Sequence, residues 1–185
     1  MNGTDSGILA AAADTAGLLD PRNAQLTPRI RQNWRDAVEA RRKYPAHPPG
    51  TFEKIARDTR AMHEAGIPFL AGTDVGGIPL VYPGSSLHHE LQLLVKHGGL
   101  TPLQALQAAT RNSSRFLGLQ NEIGTVEVGK MADLVLLEAN PLQDIGNVRR
   151  IRAVVAAGRF LDRATLDGLT RIAQCVENAD GVTTR

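Results

Sequence analysis

The chain has 185 residues, enough for one domain with an appendage and for a sizeable core. It is too short for a whole eight-stranded β/α barrel, which takes about 250 residues. With 21 Lys and Arg against 19 Asp and Glu the net charge is +2, so there is no dense basic face for a nucleic acid. The single cysteine, Cys175, excludes an internal disulfide framework and a cysteine-based zinc site. No stretch approaches 18 apolar residues, so no membrane span is expected, and Ile8–Ala13 lacks the basic flank of a secretory signal. The cytoplasm is the default expectation. Aromatics make up 4%, so Leu, Val, Ile and Ala must build the core.

In chain order, the glycines and proline of residues 1–21 break any early pattern. Thr27-Pro28 opens a predicted helix through Trp34 to about Arg42. Pro45, Pro48 and Pro49 then make a loop. Thr51 reads as an N-cap, with Phe52, Ile55, Ala56, Thr59 and Met62 at helical spacing and Gly66 as the stop. Ile67–Ala71 is a short apolar run ending in Gly72-Thr73-Asp74, and it reads as a buried strand. Val75–Gly84 is a loop. A helix follows from about Ser86, with Leu87, Leu91, Leu94 and Val95 as a packing stripe, ending at Gly98-Gly99.

Thr101-Pro102-Leu103-Gln104 is a capping box with proline at the first helical position. Leu103, Leu106, Ala109 and Phe116 extend that helix, and Gly118 closes it. The period then changes. Ile123–Val128 and Ala132–Leu137 read as strands, and Gly129-Lys130 and Asn140-Pro141 as turns. Ile151–Ala157 and Arg159–Leu161 read as a hairpin about Gly158. A last helix is expected from about Thr165 to Val176. The lone strand at Ile67–Ala71 is the oddity, because a buried strand needs neighbours on both sides.

A carboxylate at a strand C-terminus, here Asp74, is well placed to bind a metal or act as a general base. Position alone also allows Asp74 to be a turn cap. The histidines are His47, His63, His88, His89 and His97. No H-x-H pair exists, and His89-Glu90 begins an H-E-x-x-H that Leu93 leaves incomplete. His63 reads as a helix-boundary residue, His47 as a loop residue, and His88 and His89 as first-turn residues of which one could face a pocket. His97 sits where a helix C-terminus favours it. No phosphate-binding glycine loop is present, and Ser85 and Ser86 lack the G-x-S-x-G elbow of a serine hydrolase.

From His63 to Gly158 the chain resembles the C-terminal part of the metal-dependent amidohydrolase superfamily, in its imidazolonepropionase-like and prolidase-like branch. The matching stretches are His63–Asp74, Gly84–Leu91, Gly99–Leu106, Ala109-Thr110, Phe116–Gly118, Ile123–Leu137 and Asn140–Leu142. The resemblance implies an α/β fold: the last strand and helices of a (β/α)₈ barrel, followed by part of a small β-sandwich. It divides the chain into a barrel segment (1–120), sandwich strands (121–162) and a terminal helix and tail (163–185). It implies hydrolysis of non-peptide carbon–nitrogen bonds by metal-activated water, with zinc as the expected divalent metal. Asp74 would be a metal ligand and the proton-transferring base.

The family's H-x-H pair, bridging lysine or glutamate and middle-strand histidines have no counterpart here. The expectation is therefore a C-terminal portion, inactive and weakly metal-binding alone. The alternative is a non-catalytic interaction module or split subunit whose partner supplies the missing strands. A small-molecule substrate is expected, with no nucleic acid and no membrane. A partner chain or self-association through exposed barrel edges is also expected.

Overall fold

The computed structural model describes residues 22–23, 26–41, 43, 48, 50–75 and 79–169. The reading of Gly3–Pro21, His47, Cys175 and the end of the last helix lies outside them. The chain forms two compact units: residues 1–53, 74–83 and 167–185, and residues 54–73 and 84–166.

In the first unit, helix α1 spans Pro28–Arg41. Thr27 caps it by accepting the Ile30 N–H at 3.0 Å. Val38 and Leu26 are buried. Tyr82 stands edge-on to Trp34, with ring centroids 5.1 Å apart. The Arg22 guanidinium lies 4.2 Å from the Tyr82 ring centre, and the Tyr82 hydroxyl donates to Asn23 Oδ1.

Helix α2 (Thr51–Glu64) runs into the second unit. Thr51 is its first residue and not its cap: its hydroxyl donates back to the Pro48 carbonyl at 2.7 Å. Gly66 ends the helix at φ 79°, with Ile67 N–H bonding Met62 O and Gly66 N–H bonding His63 O. This is a Schellman closure, which needs a left-handed residue at that position.

Helices α3 (Ser85–Lys96) and α4 (Pro102–Ala109) form the core with the 3₁₀ turn Ile145–Arg149. Leu91, Leu94, Leu100, Ala105, Ala108, Ile145 and Val148 are its buried members, and Phe69 and Ala71 pack against them. Of the expected stripe on α3, Leu91 and Leu94 are buried, while Leu87 faces outward. On α4 the buried face is Ala105 and Ala108, and Leu103 is exposed. Small side chains let the helices approach closely, which the spacing of the larger residues does not reveal.

The capping box at Thr101 and Gln104 is formed in both directions. The helix it opens does not run on to Gly118 as expected. It breaks at Thr110 (φ −130°, ψ −89°) and resumes as α5, Arg111–Phe116. The Thr110 hydroxyl donates to Leu106 O at 2.8 Å and so competes with the backbone ladder. Gly118 closes α5 by a second Schellman pattern, through Leu119 N–H to Ser114 O. Phe116 is largely exposed.

Two predicted strands are not strands. Residues 67–73 form no regular element and lie in no ladder, and Ile67 and Leu70 are exposed. Residues 123–128 form bends and turns, and Val126 and Val128 are exposed. Both sequences suit a pleated, partnered environment, but a strand exists only where another strand takes up its N–H and C=O groups.

Strands β1 (Leu134–Leu137), β2 (Ile151–Ala156) and β3 (Arg159–Leu161) do find partners and form an antiparallel sheet in that order. The β2–β3 loop is Ala157-Gly158, both with positive φ (48° and 78°). That is the geometry of a type I′ hairpin, whose twist matches the strands. A bulge falls between Leu136 and Leu137. Asp162 caps a following helical segment by accepting the Thr165 N–H.

Candidate functional site

Asp74 directly follows the irregular segment 67–73. The segment is anchored at two points. Ala71 N–H donates to Ala108 O at 3.1 Å, and Asn112 Nδ2 donates to Phe69 O at 3.1 Å. The break at Thr110 explains the first anchor: Ala108 lies at the end of α4, where the last carbonyls have no intrahelical partner. Phe69 turns into the core, and its ring meets His63 edge-on at 6.4 Å. The chain then enters a left-handed conformation at Asp74, with φ 51°. Asp is among the few non-glycine residues that tolerate this region, and such backbone is concentrated at functional positions. The Asp74 carboxylate is exposed.

His88, His89 and Glu90 lie near the start of α3 and are partly buried. Burial, and next the Arg149 charge, lower the His88 pKa from its ordinary value, so neutral imidazole is favoured. Burial alone raises the Glu90 carboxyl. His97 is the C-cap of α3, its N–H bonding Leu93 O. Ser86 is buried within the first turn of α3.

Among the described residues, no group of three or more His, Cys, Asp or Glu could hold a metal ion. Zinc takes three or four protein ligands, so Asp74 with its surroundings does not fit the ion that the family resemblance implies.

Lys130 has a function that its sequence position did not disclose. Its ammonium donates to Gln120 O at 2.7 Å and to the Thr125 hydroxyl, and it pairs with Glu127 at 3.5 Å. The Thr125 hydrogen bond, and after it the Lys130 charge, hold the Glu127 carboxyl below its ordinary pKa. Gly124 seats the same loop on α5: a Cβ there would lie 2.2 Å from Ser114 Oγ, and its φ is 96°. A lysine after a turn glycine carries no local sign that it clamps ten residues behind it.

The family model described as "Amidohydrolase family" matches residues 5–161. The chain belongs to the amidohydrolase family. It is 39% identical over 92 residues to ochratoxinase of Aspergillus niger, covering 49% of this chain and 18% of that protein. It is 36% identical over 107 residues to imidazolonepropionase of Shouchella clausii, covering 56% of this chain and 24% of that enzyme. Among solved structures it resembles bottromycin amidohydrolase with a TM-score of 0.66 at 27% identity, over 92% of this chain and 39% of that one. It resembles phenylurea hydrolase B with a TM-score of 0.58 at 31% identity, over 77% of this chain and 33% of that one.

The chain thus spans 18% and 24% of these two curated relatives and 33–39% of these solved chains. Amidohydrolases are hydrolases of carbon–nitrogen bonds, generally metal-dependent, and these neighbours carry a (β/α)₈-barrel-type fold. This chain is a mixed α/β structure. No helix among the described residues is long and apolar enough to cross a membrane.

Proposed function

We propose that this chain supplies the C-terminal part of an amidohydrolase: the last barrel strand and helices (1–120), the C-terminal sandwich strands (121–162) and a terminal helix and tail (163–185). Its reaction is hydrolysis of a non-peptide carbon–nitrogen bond in a small molecule, in the cytoplasm. Asp74 is its functional carboxylate.

The observation that carries this reading is the family match over residues 5–161, joined to Asp74 in left-handed backbone at the end of an anchored segment. In that setting Asp74 would accept a proton from attacking water and return it to the leaving nitrogen. An amide anion is a poor leaving group, so that second transfer is what makes cleavage possible. The donors described around Asp74 do not make a metal site, so no step is assigned to a metal here.

A second reading rests on the exposed Val126 and Val128 and on β1, which among the described residues pairs on one side. Here the chain is a split subunit or interaction module whose partner provides further strands. Unpaired strand edges favour such association.

Transplanting residues 51–161 in place of the matching region of Shouchella clausii imidazolonepropionase tests the enzymatic reading. The chimera is expected to retain that enzyme's hydrolysis, while the 185-residue chain alone is expected to show neither turnover nor stoichiometric tight zinc. Turnover with tight zinc in the chain alone would overturn the proposed dependence on missing strands. A folded but inactive chimera would overturn the family-level activity.

A further inference from the structure

A cleft of about 770 Å³ lies between α5 and the 120–130 loop, wholly within the second unit. Three cations line it: Arg111, Arg115 and Lys130. Among the described residues Glu127 is the only carboxylate on its wall, and Lys130 already pairs with it. The two arginines are four residues apart on α5 and so lie on one helix face, where like charges repel. Neither has a carboxylate within salt-bridge distance among the described residues. Arg111 is held by Gln107 Oε1 at 3.1 Å, and its buried Nε has no acceptor there. Arg115 is exposed.

The cleft wall adds neutral hydrogen-bonding side chains: Ser114, Gln120, Asn121 and Thr125. Arg115 is open to solvent and Arg111 reaches one neutral acceptor, so an anion entering the cleft would meet two guanidiniums that no described carboxylate neutralises. An arginine fork matches the planar or tetrahedral oxygens of a carboxylate or phosphate. The volume falls in the range of small-molecule sites.

We propose that this cleft binds a small oxyanion-bearing metabolite, with Arg111 and Arg115 as its anchoring charges. The site is independent of Asp74 and of the proposed hydrolysis. The shared chemistry is an oxyanion, either a phosphate group or a carboxylate.

Inorganic phosphate, titrated into the full chain by calorimetry at low ionic strength, is the first probe. Citrate is the second, and chloride at matched ionic strength is the control. Saturable one-to-one binding of phosphate or citrate is expected, weakened about tenfold by Arg115→Gln and unchanged by Arg159→Gln on the hairpin. Tighter phosphate than citrate identifies a phosphorylated ligand; the reverse identifies a carboxylate. Arg111→Gln should weaken binding similarly; if that variant does not fold, Arg115→Gln carries the test alone. Binding unaffected by Arg115→Gln, binding matched by chloride, or no saturable binding means an adventitious ion only and overturns the proposal.

Discussion

The helical layer α3–α4 and the stretches 67–71 and 123–128 all carry apolar residues in a regular pattern, yet only the first folds as the expected type of element. A helix satisfies its backbone from its own residues. Thr101 and Gln104 close one end of α4, and Gly66 and Gly118 close the ends of α2 and α5. A strand cannot do this. Residues 67–71 borrow one carbonyl from Ala108 and one amide from Asn112, and residues 123–128 rest on Gly124 and the Lys130 clamp. The difference separates what local chemistry fixes from what depends on a distant partner.

The largest test of this contrast falls on the helical side. Leu94→Ala removes a buried side chain from the centre of the core and should cost about 2–5 kcal/mol in chemical denaturation. A cost below about 1 kcal/mol would mean that the helical layer is not the stabilising element.

Next comes the seat of the loop. Gly124→Ala should cost about 1–3 kcal/mol, because its Cβ meets Ser114 and its φ of 96° suits glycine. Adding Ser114→Ala removes the contact at 2.2 Å but leaves Ser114 Cβ at 2.6 Å, so recovery should be partial. Full recovery would show that the conformation of Gly124 is not strained.

Val128→Ser should change the stability of this chain by no more than about 0.5 kcal/mol, since the side chain is fully exposed. The same substitution in the chimera should cost more if additional strands cover it there. Equal, small effects in both would break the comparison between partnered and unpartnered strands.

The smallest effect is a slope with pH. His88 has a folded pKa below its unfolded one, so its neutral form is favoured by folding. Its contribution is fully present above the ordinary histidine value of about 6.5 and is lost as pH falls through the folded pKa. His88→Gln should flatten the decline of denaturation midpoint in that window. Glu90 acts in the opposite sense: its contribution is present below its unfolded pKa and lost as pH rises through the raised one. Glu90→Gln should therefore stabilise the chain at neutral pH, and an unchanged midpoint would contradict the burial assigned to it.

The helices, their glycine stops, the capping box and the hairpin about Gly158 were legible because each is encoded within a few residues. The break at Thr110 was not, since a threonine hydroxyl turning back on Leu106 leaves no trace in the apolar period. The inward choice of Ala105 and Ala108 over Leu103 and Phe116 reflects how closely helices approach, which periodicity does not measure. Of the proposed site, Asp74 could be singled out as a candidate from its place after an apolar run. Arg111, Arg115 and Lys130 were not, because their meeting depends on how the 120–130 loop folds onto α5.

The most direct measurement is the activity of the imidazolonepropionase chimera with Asp74→Asn, compared with the unsubstituted chimera at equal thermal stability. Asparagine keeps the size of the side chain and removes its basicity. The account predicts a fall in kcat of about a thousandfold or more with little change in melting temperature, in line with loss of general acid–base chemistry. A chimera whose kcat is unchanged by that substitution would contradict the assignment of Asp74 as the functional carboxylate.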